Sequence, residues 1–163
     1  MFSLSYLQIK IHSVKSQDIE IICHLSPVMF PAGEIFKIIY FKSEIITRYN
    51  EALDGLPVQV LPHYPKDDET TASCGHLYIC RLLNKTMEER NEIIAQMAER
   101  GIASNVHYKP LPMMTAYKAL GFDIKDYPNA YDMYHNEITL PLHTRLSDED
   151  VEYVIGNFVE LIK

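Results

Sequence analysis

The sequence predicts an α+β fold: a two-layer sandwich in which a small antiparallel or mixed sheet carries helices packed on it. Three observations lead there. Two segments carry a helical apolar stripe behind an N-terminal capping signature, one starting at Thr86 and one at Ser147. Short β-branched and aromatic runs stand between the helical stretches, at residues 58–61, 76–83 and 138–142. Gly55, Gly101 and Gly121 each fall where a helix would end.

Taken in order, residues 1–41 give no firm pattern. SLSYLQIKIHSV alternates well enough for a strand and IEIICHL fits another, while EIFKIIYF, rich in Ile, Phe and Tyr, is ambiguous. From Lys42 the signals sharpen. SEIITRYNEALDG places Ile45, Ile46, Tyr49, Ala52 and Leu53 on one helical stripe. Pro57 forbids continuation, and VQVL reads as a short strand. HYPKDDETTASCG is a polar loop. HLYICRLL reads as a strand whose continuous apolar character suggests burial on both faces.

Thr86 and Glu89 form a capping box, and the helix behind it turns Met87, Ile93, Ile94, Met97 and Ala98 inward. Residues 102–108 alternate as a short strand. A loop braced by Pro110 and Pro112 follows, then a short helix from Thr115 closed by Gly121. Pro128 suits a first helical position for NAYDMYHN. Residues 138–142 read as an apolar strand. Beyond Ser147, a stripe of Val151, Val154, Ile155, Phe158 and Ile162 runs almost to the end.

Composition narrows the function. A hydrophobic fraction of 47% and a charged fraction of 23% suit an ordinary globular domain of 163 residues. A formal net charge of −7, with no Lys/Arg cluster, argues against nucleic-acid binding. The run Asp67-Asp68-Glu69 reads as a solvated loop. Cys23, Cys74 and Cys80 are an odd number without CxxC spacing, which suits a reducing cytoplasm and thiols that simply pack. Residues 19–41 are apolar on average but broken by Glu20, His24, Pro27, Pro31, Glu34 and Lys37, so no membrane span is expected. No signal peptide is expected either.

The seven histidines show no metal-ligand spacing, so no metal is expected. Phosphate-binding glycine loops and a GxSxG elbow are absent. Cys74 and His76 are near in sequence, which is not yet a catalytic geometry. What remains is Ser73-x-x-His76-x-Tyr78, then His107-Tyr108-Lys109-Pro110-Leu111-Pro112, then Leu140-Pro141-Leu142-His143. Each motif alone also fits plain packing at a strand end.

In this order, the motifs resemble the carboxy-terminal part of the DegT/StrS family of pyridoxal-phosphate-dependent aminotransferases, which act on nucleotide-linked keto sugars. The resemblance runs through a helix like SEIITRYNEAL, a strand S-x-x-H-L-Y and a helix ending in GI. It continues through V-H-Y-x-P-L and a strand L-P-L-H before a capped terminal helix. It covers residues 42–163, about three quarters of the chain. One departure is Leu111-Pro112, where the family often reads P-L-H, so no histidine role carries over to that loop.

The resemblance implies the small domain of an aspartate-aminotransferase-type enzyme at 42–163. It implies His107, Tyr108 and Lys109 on the substrate side, Pro110 shaping the loop, and His76 and His143 as supports behind them. Such enzymes join pyridoxal phosphate to a lysine, with an acid at the pyridinium nitrogen and a phosphate cup, all in a large domain. None of the ten lysines falls in that pattern. Residues 1–41 are too short for such a domain and are expected to be non-native or derived by truncation.

The expectation is a cytoplasmic fragment with no catalytic residue of its own and no cofactor bound alone. Its expected partners are a nucleotide sugar and either a second copy or a missing large domain. The alternatives are a non-catalytic binding or assembly module, or a separate enzyme using the His76 and His107 loops.

Overall fold

A computed structural model of the chain describes residues 32–63 and 73–163. The strands expected in SLSYLQIKIHSV and IEIICHL, Cys23, and most of the polar loop with its acidic run lie outside the described residues.

Helix α1 spans Ala32–Leu53, starting about ten residues earlier than the helix read from Lys42 onward. EIFKIIYF, ambiguous by pattern, is helical. Its end falls in register with the stripe beyond it, since Phe41, Ile45, Ile46 and Tyr49 all pack toward the core. Continuity with the buried stripe of Ile45, Ile46 and Tyr49 accompanies a helical backbone here, against the strand preference of Ile, Phe and Tyr.

Strands β1 (Val58–Val60), β2 (Tyr78–Leu82) and β3 (Glu137–Leu140) form one antiparallel sheet in that order. Helices α2 (Met87–Glu99) and α5 (Asp148–Ile162) complete the core with α1. Between α2 and β3 lie two short helices, α3 (Thr115–Ala119) and α4 (Pro128–His135), each preceded by a 3-10 turn.

Both capping boxes form. Thr86 Oγ1 accepts from the Glu89 amide at 3.2 Å and Glu89 Oε2 accepts from the Thr86 amide at 2.7 Å. Ser147 and Asp150 repeat the exchange at 3.1 and 2.9 Å. Gly101 ends α2 at φ +75, a conformation costly for any residue with a Cβ.

One sheet face is the core. Tyr78, Cys80, Leu82, Ile138 and Leu140 meet Ile45, Ile46, Tyr49 and Leu53 of α1, Ile93 and Met97 of α2, and Val151, Val154, Phe158 and Ile162 of α5. In β2 burial alternates, with Ile79 and Arg81 only partly covered, so the continuous burial read from HLYICRLL does not hold there. Ala98 is exposed rather than inward, and the buried stripe of α2 is Arg90, Ile93 and Met97. Tyr49 and Tyr78 lie 4.8 Å apart in the core, their hydroxyls donating to the Pro141 carbonyl and to Asn50 Oδ1. Burial pushes both phenols well above their usual range. Arg48 ties α1 to α5 through Asp148 at 2.6 Å and Glu152 at 2.7 Å, but these exposed carboxylates add little stability.

The strand expected at residues 102–108 is reduced to one bridge, between Asn105 and Thr139. Side chains take over the ladder from there. The Val106 amide donates to Asn105 Oδ1 at 2.8 Å and the His107 amide to Glu137 Oε2 at 3.0 Å, so neither is offered to a neighbouring strand.

Candidate functional site

Alternation along β3 builds the site. Ile138 and Leu140 point into the core, so Glu137 and Thr139 stand on the opposite face, where register sets them beside Arg81 and Ile79. Both polar residues are nevertheless buried, at 4% and 5% exposure. The segment after Asn105 covers them.

His107 closes that cover. Its amide donates to one Glu137 oxygen, and its Nδ1 lies 3.0 Å from Thr139 Oγ1, whose hydroxyl donates to the other Glu137 oxygen at 2.7 Å. The His107–Tyr108 peptide is cis, and the Tyr108 ring stands edge-on to the imidazole at 4.7 Å. Tyr108 is 73% exposed, a large aromatic face held outward beside a fixed histidine. Lys109 is exposed. Pro110 is half-buried and precedes the 3-10 turn Leu111–Met113.

Two arginines hold the far side. Arg90, fully buried, donates to the Glu137 carbonyl at 2.7 Å and the Tyr134 carbonyl at 3.3 Å, with its guanidinium 5.0 Å from the centre of the Tyr134 ring. Arg81 donates to Asn136 Oδ1 at 2.9 Å and pairs with Asp132 at 3.1 Å. The α4–β3 junction is therefore fastened from α2 and from β2. Burial pushes the Glu137 carboxyl above its usual range, against the Thr139 hydroxyl, the His107 amide and the charge of Arg90, which pull it down.

The structure thus brings His107 and Tyr108 together over Glu137 and Thr139. His76 is exposed, and exposed His143 accepts from the Arg145 amide at 3.2 Å. No hydrogen bond or ring contact joins either to His107, Glu137 or Thr139 among the described residues. Sequence reading missed Glu137, Thr139 and Arg90. The signal was present: polar residues alternate with Ile138 and Leu140, and an arginine falls on the apolar stripe of α2.

The six described lysine side chains (Lys42, Lys85, Lys109, Lys118, Lys125 and Lys163) are all exposed or half-buried. Both Glu137 oxygens are engaged within the chain. The described residues therefore do not assemble the buried lysine and pyridinium-facing acid that pyridoxal phosphate requires. Described groups that could hold a metal ion are also absent.

The three-stranded antiparallel sheet with helices packed on its core face is a fold shared with sugar aminotransferases. The chain superimposes on a candidate sugar aminotransferase from Streptococcus pneumoniae in its apo form with a TM-score of 0.75 and 47% identity, covering 80% of this chain and 32% of that one. The pyridoxal-phosphate form of that protein gives 0.73 and 48%, with coverage of 77% and 31%. The chain belongs to the DegT/DnrJ/EryC1/StrS aminotransferase family, whose model it matches over residues 34–159.

Among curated relatives, it is 32% identical to the spore coat polysaccharide biosynthesis protein SpsC of Bacillus subtilis, over 75% of this chain and 31% of that protein. It is also 32% identical to the dTDP-4-dehydro-2,3,6-trideoxy-D-glucose 4-aminotransferase of Saccharopolyspora spinosa, over 75% of this chain and 29% of that enzyme. The chain therefore spans about a third of the length of these relatives.

Proposed function

We propose that residues 42–163 form the small, substrate-covering domain of an aminotransferase acting on nucleotide-linked keto sugars in amino-sugar or surface-polysaccharide synthesis. His107, Tyr108 and Lys109 line the substrate side, and His76 and His143 support the surrounding loops. The observation that carries this reading is the fixed His107 with the outward Tyr108 ring, set in the V-H-Y-x-P-L motif of the family. An aromatic face beside a polar nitrogen suits a sugar, which offers both C–H surface and hydroxyls.

Pyridoxal phosphate, when bound, supplies the electron sink for moving an amino group. Its lysine is proposed to come from outside residues 42–163, in a large domain or a second polypeptide. This chain's own residues bind and orient the sugar. The free thiols of Cys74 and Cys80 and the lack of CxxC spacing support a cytoplasmic setting. No helix among the described residues is long and apolar enough to cross a membrane.

Incubating the chain with pyridoxal phosphate and then borohydride tests the division of labour. At equimolar pyridoxal phosphate, only scattered, substoichiometric adducts on the exposed lysines are expected from the chain alone, and stoichiometric trapping at one lysine overturns the reading.

A second reading, an assembly module, is favoured by one feature. Leu111, Leu120, Phe122, Tyr131 and Met133 are 41–74% exposed on one stretch of chain. Light scattering separates the two, since an assembly module forms defined oligomers without any aminotransferase partner.

A further inference from the structure

We infer that Glu137 and Thr139 are positioning residues that fix His107 as its Nδ1–H tautomer, so that Nε2 meets the ligand as a hydrogen-bond acceptor. The inference rests on the substrate-side placement of His107 proposed above and adds which kind of ligand group that histidine takes.

Its basis is a proton count. The Thr139 hydroxyl has one proton and two neighbours, Glu137 Oε1 at 2.7 Å and His107 Nδ1 at 3.0 Å. An ionised carboxylate offers only lone pairs, so the hydroxyl proton goes to Glu137. The Thr139 oxygen then turns a lone pair toward the imidazole, and Nδ1 must bring the proton. Glu137 Oε2 is committed to the His107 amide at 3.0 Å. Thr139 is itself held on both backbone sides by Asn105, at 2.8 and 3.2 Å. Two atoms of one histidine, its peptide nitrogen and Nδ1, are therefore pinned by two residues of one strand face.

The charged and titratable groups around Glu137 are Arg81, its cross-strand partner on β2, Arg90 from α2, His107 itself, and Cys80, buried on the core face of β2. Burial works against ionisation of Glu137, while the Thr139 hydroxyl, the His107 amide and the charge of Arg90, which reaches the Glu137 carbonyl at 2.7 Å, favour the carboxylate form that the proton count uses.

The consequence is selective. A neutral imidazole protonated at Nδ1 keeps its Nε2 lone pair and accepts a proton from a sugar hydroxyl. It has no proton there for a phosphate or keto oxygen. The histidine is thereby assigned to the hydroxyl-bearing ring of the sugar rather than to the pyrophosphate or the reacting carbonyl.

Long-range 1H–15N correlation spectra of the full chain, recorded at about pH 8 where an ordinary imidazole is neutral, read the tautomer directly. His107 is expected to carry its proton on Nδ1. Thr139→Ser keeps the relay and the tautomer, and Thr139→Val releases His107 toward the Nε2–H form that free histidine favours. Glu137→Gln is expected to invert it. The carboxamide oxygen must face the His107 amide, its NH2 then donates to Thr139, and the Thr139 hydroxyl swings to donate to Nδ1.

An Nε2–H form in the unsubstituted chain, or an unchanged spectrum in Thr139→Val, overturns the inference. With the Nδ1–H form established, UDP-N-acetylglucosamine is expected to move the Nε2 resonance. Failure to move it counts against the substrate placement of His107 alone, whereas a shift caused by inorganic phosphate overturns the acceptor role.

Discussion

The core made by α1, α2, α5 and the sheet contrasts with the excursion that runs from Ala103 to His135. The core buries whole stripes, with Tyr49, Tyr78, Met97, Ile138 and Phe158 all fully covered. The excursion contains no buried residue, yet it carries eight of the large apolar side chains exposed among the described residues, from Tyr108 to Met133. It is held instead by polar anchors at its two ends, His107 on Glu137 and Thr139 at one, Arg81 and Arg90 on residues 132–137 at the other. Burial holds the first region together; a few directed hydrogen bonds hold the second in place, and the candidate site lies where the two meet.

The sharpest way to break that comparison is a pair of truncations. Phe158→Ala is expected to cost about 3–5 kcal/mol, because it removes a fully buried ring and leaves a cavity. Phe122→Ala, at 42% exposure and with ring neighbours Tyr117 and Tyr127, should cost about 1 kcal/mol or less. Urea unfolding of both variants checks it, and equal costs would show that the excursion has a core of its own.

Arg90→Ala sharpens the comparison at the seam. The buried Glu137 carbonyl and the part-buried Tyr134 carbonyl lose their donor, an expected loss of about 1–3 kcal/mol. Amide exchange should quicken in α4 before it quickens in α5. Uniform loosening of both helices would place Arg90 in the core rather than at an anchor.

The smallest effect is one of pH. Because the Glu137 carboxyl is raised in the folded state, its contribution is fully present below the usual carboxylate range and is lost as pH rises through the folded value. The stability gap between the parent chain and Glu137→Gln should therefore narrow from pH 4.5 upward. Arg81 beside this group, Arg90 and His107 around it, and Cys80 on the core face behind it are present in both chains, so they largely cancel. Denaturant midpoints across that window report it, and a widening gap would contradict the burial of the carboxyl.

The core was legible because burial writes a period into sequence. Ile45, Ile46, Tyr49 and Leu53 mark α1, and Val151, Val154, Phe158 and Ile162 mark α5, each stripe confirmed in the core. Capping at Thr86 and Ser147 was legible because it needs only neighbours within three residues. EIFKIIYF was not, since the same residues suit strand or helix until something decides what they pack on. The strand expected at residues 102–108 failed for a related reason. Alternation there is real, but the Glu137 carboxylate, distant in sequence, captures the amide that a ladder would have used.

By itself, then, the chain's sequence determined the α+β class, the capped helices, the core stripes and the ordered motifs that mark its family. Those features depend on local spacing and on burial, which repeat along the chain. Tertiary structure alone decided that Glu137 and Thr139 stand behind His107, that Arg90 is a buried clasp, and that directed hydrogen bonds to the core hold the stretch between at its two ends. Such arrangements join residues some thirty to fifty positions apart through single hydrogen bonds, and a contact of that kind leaves no period to read.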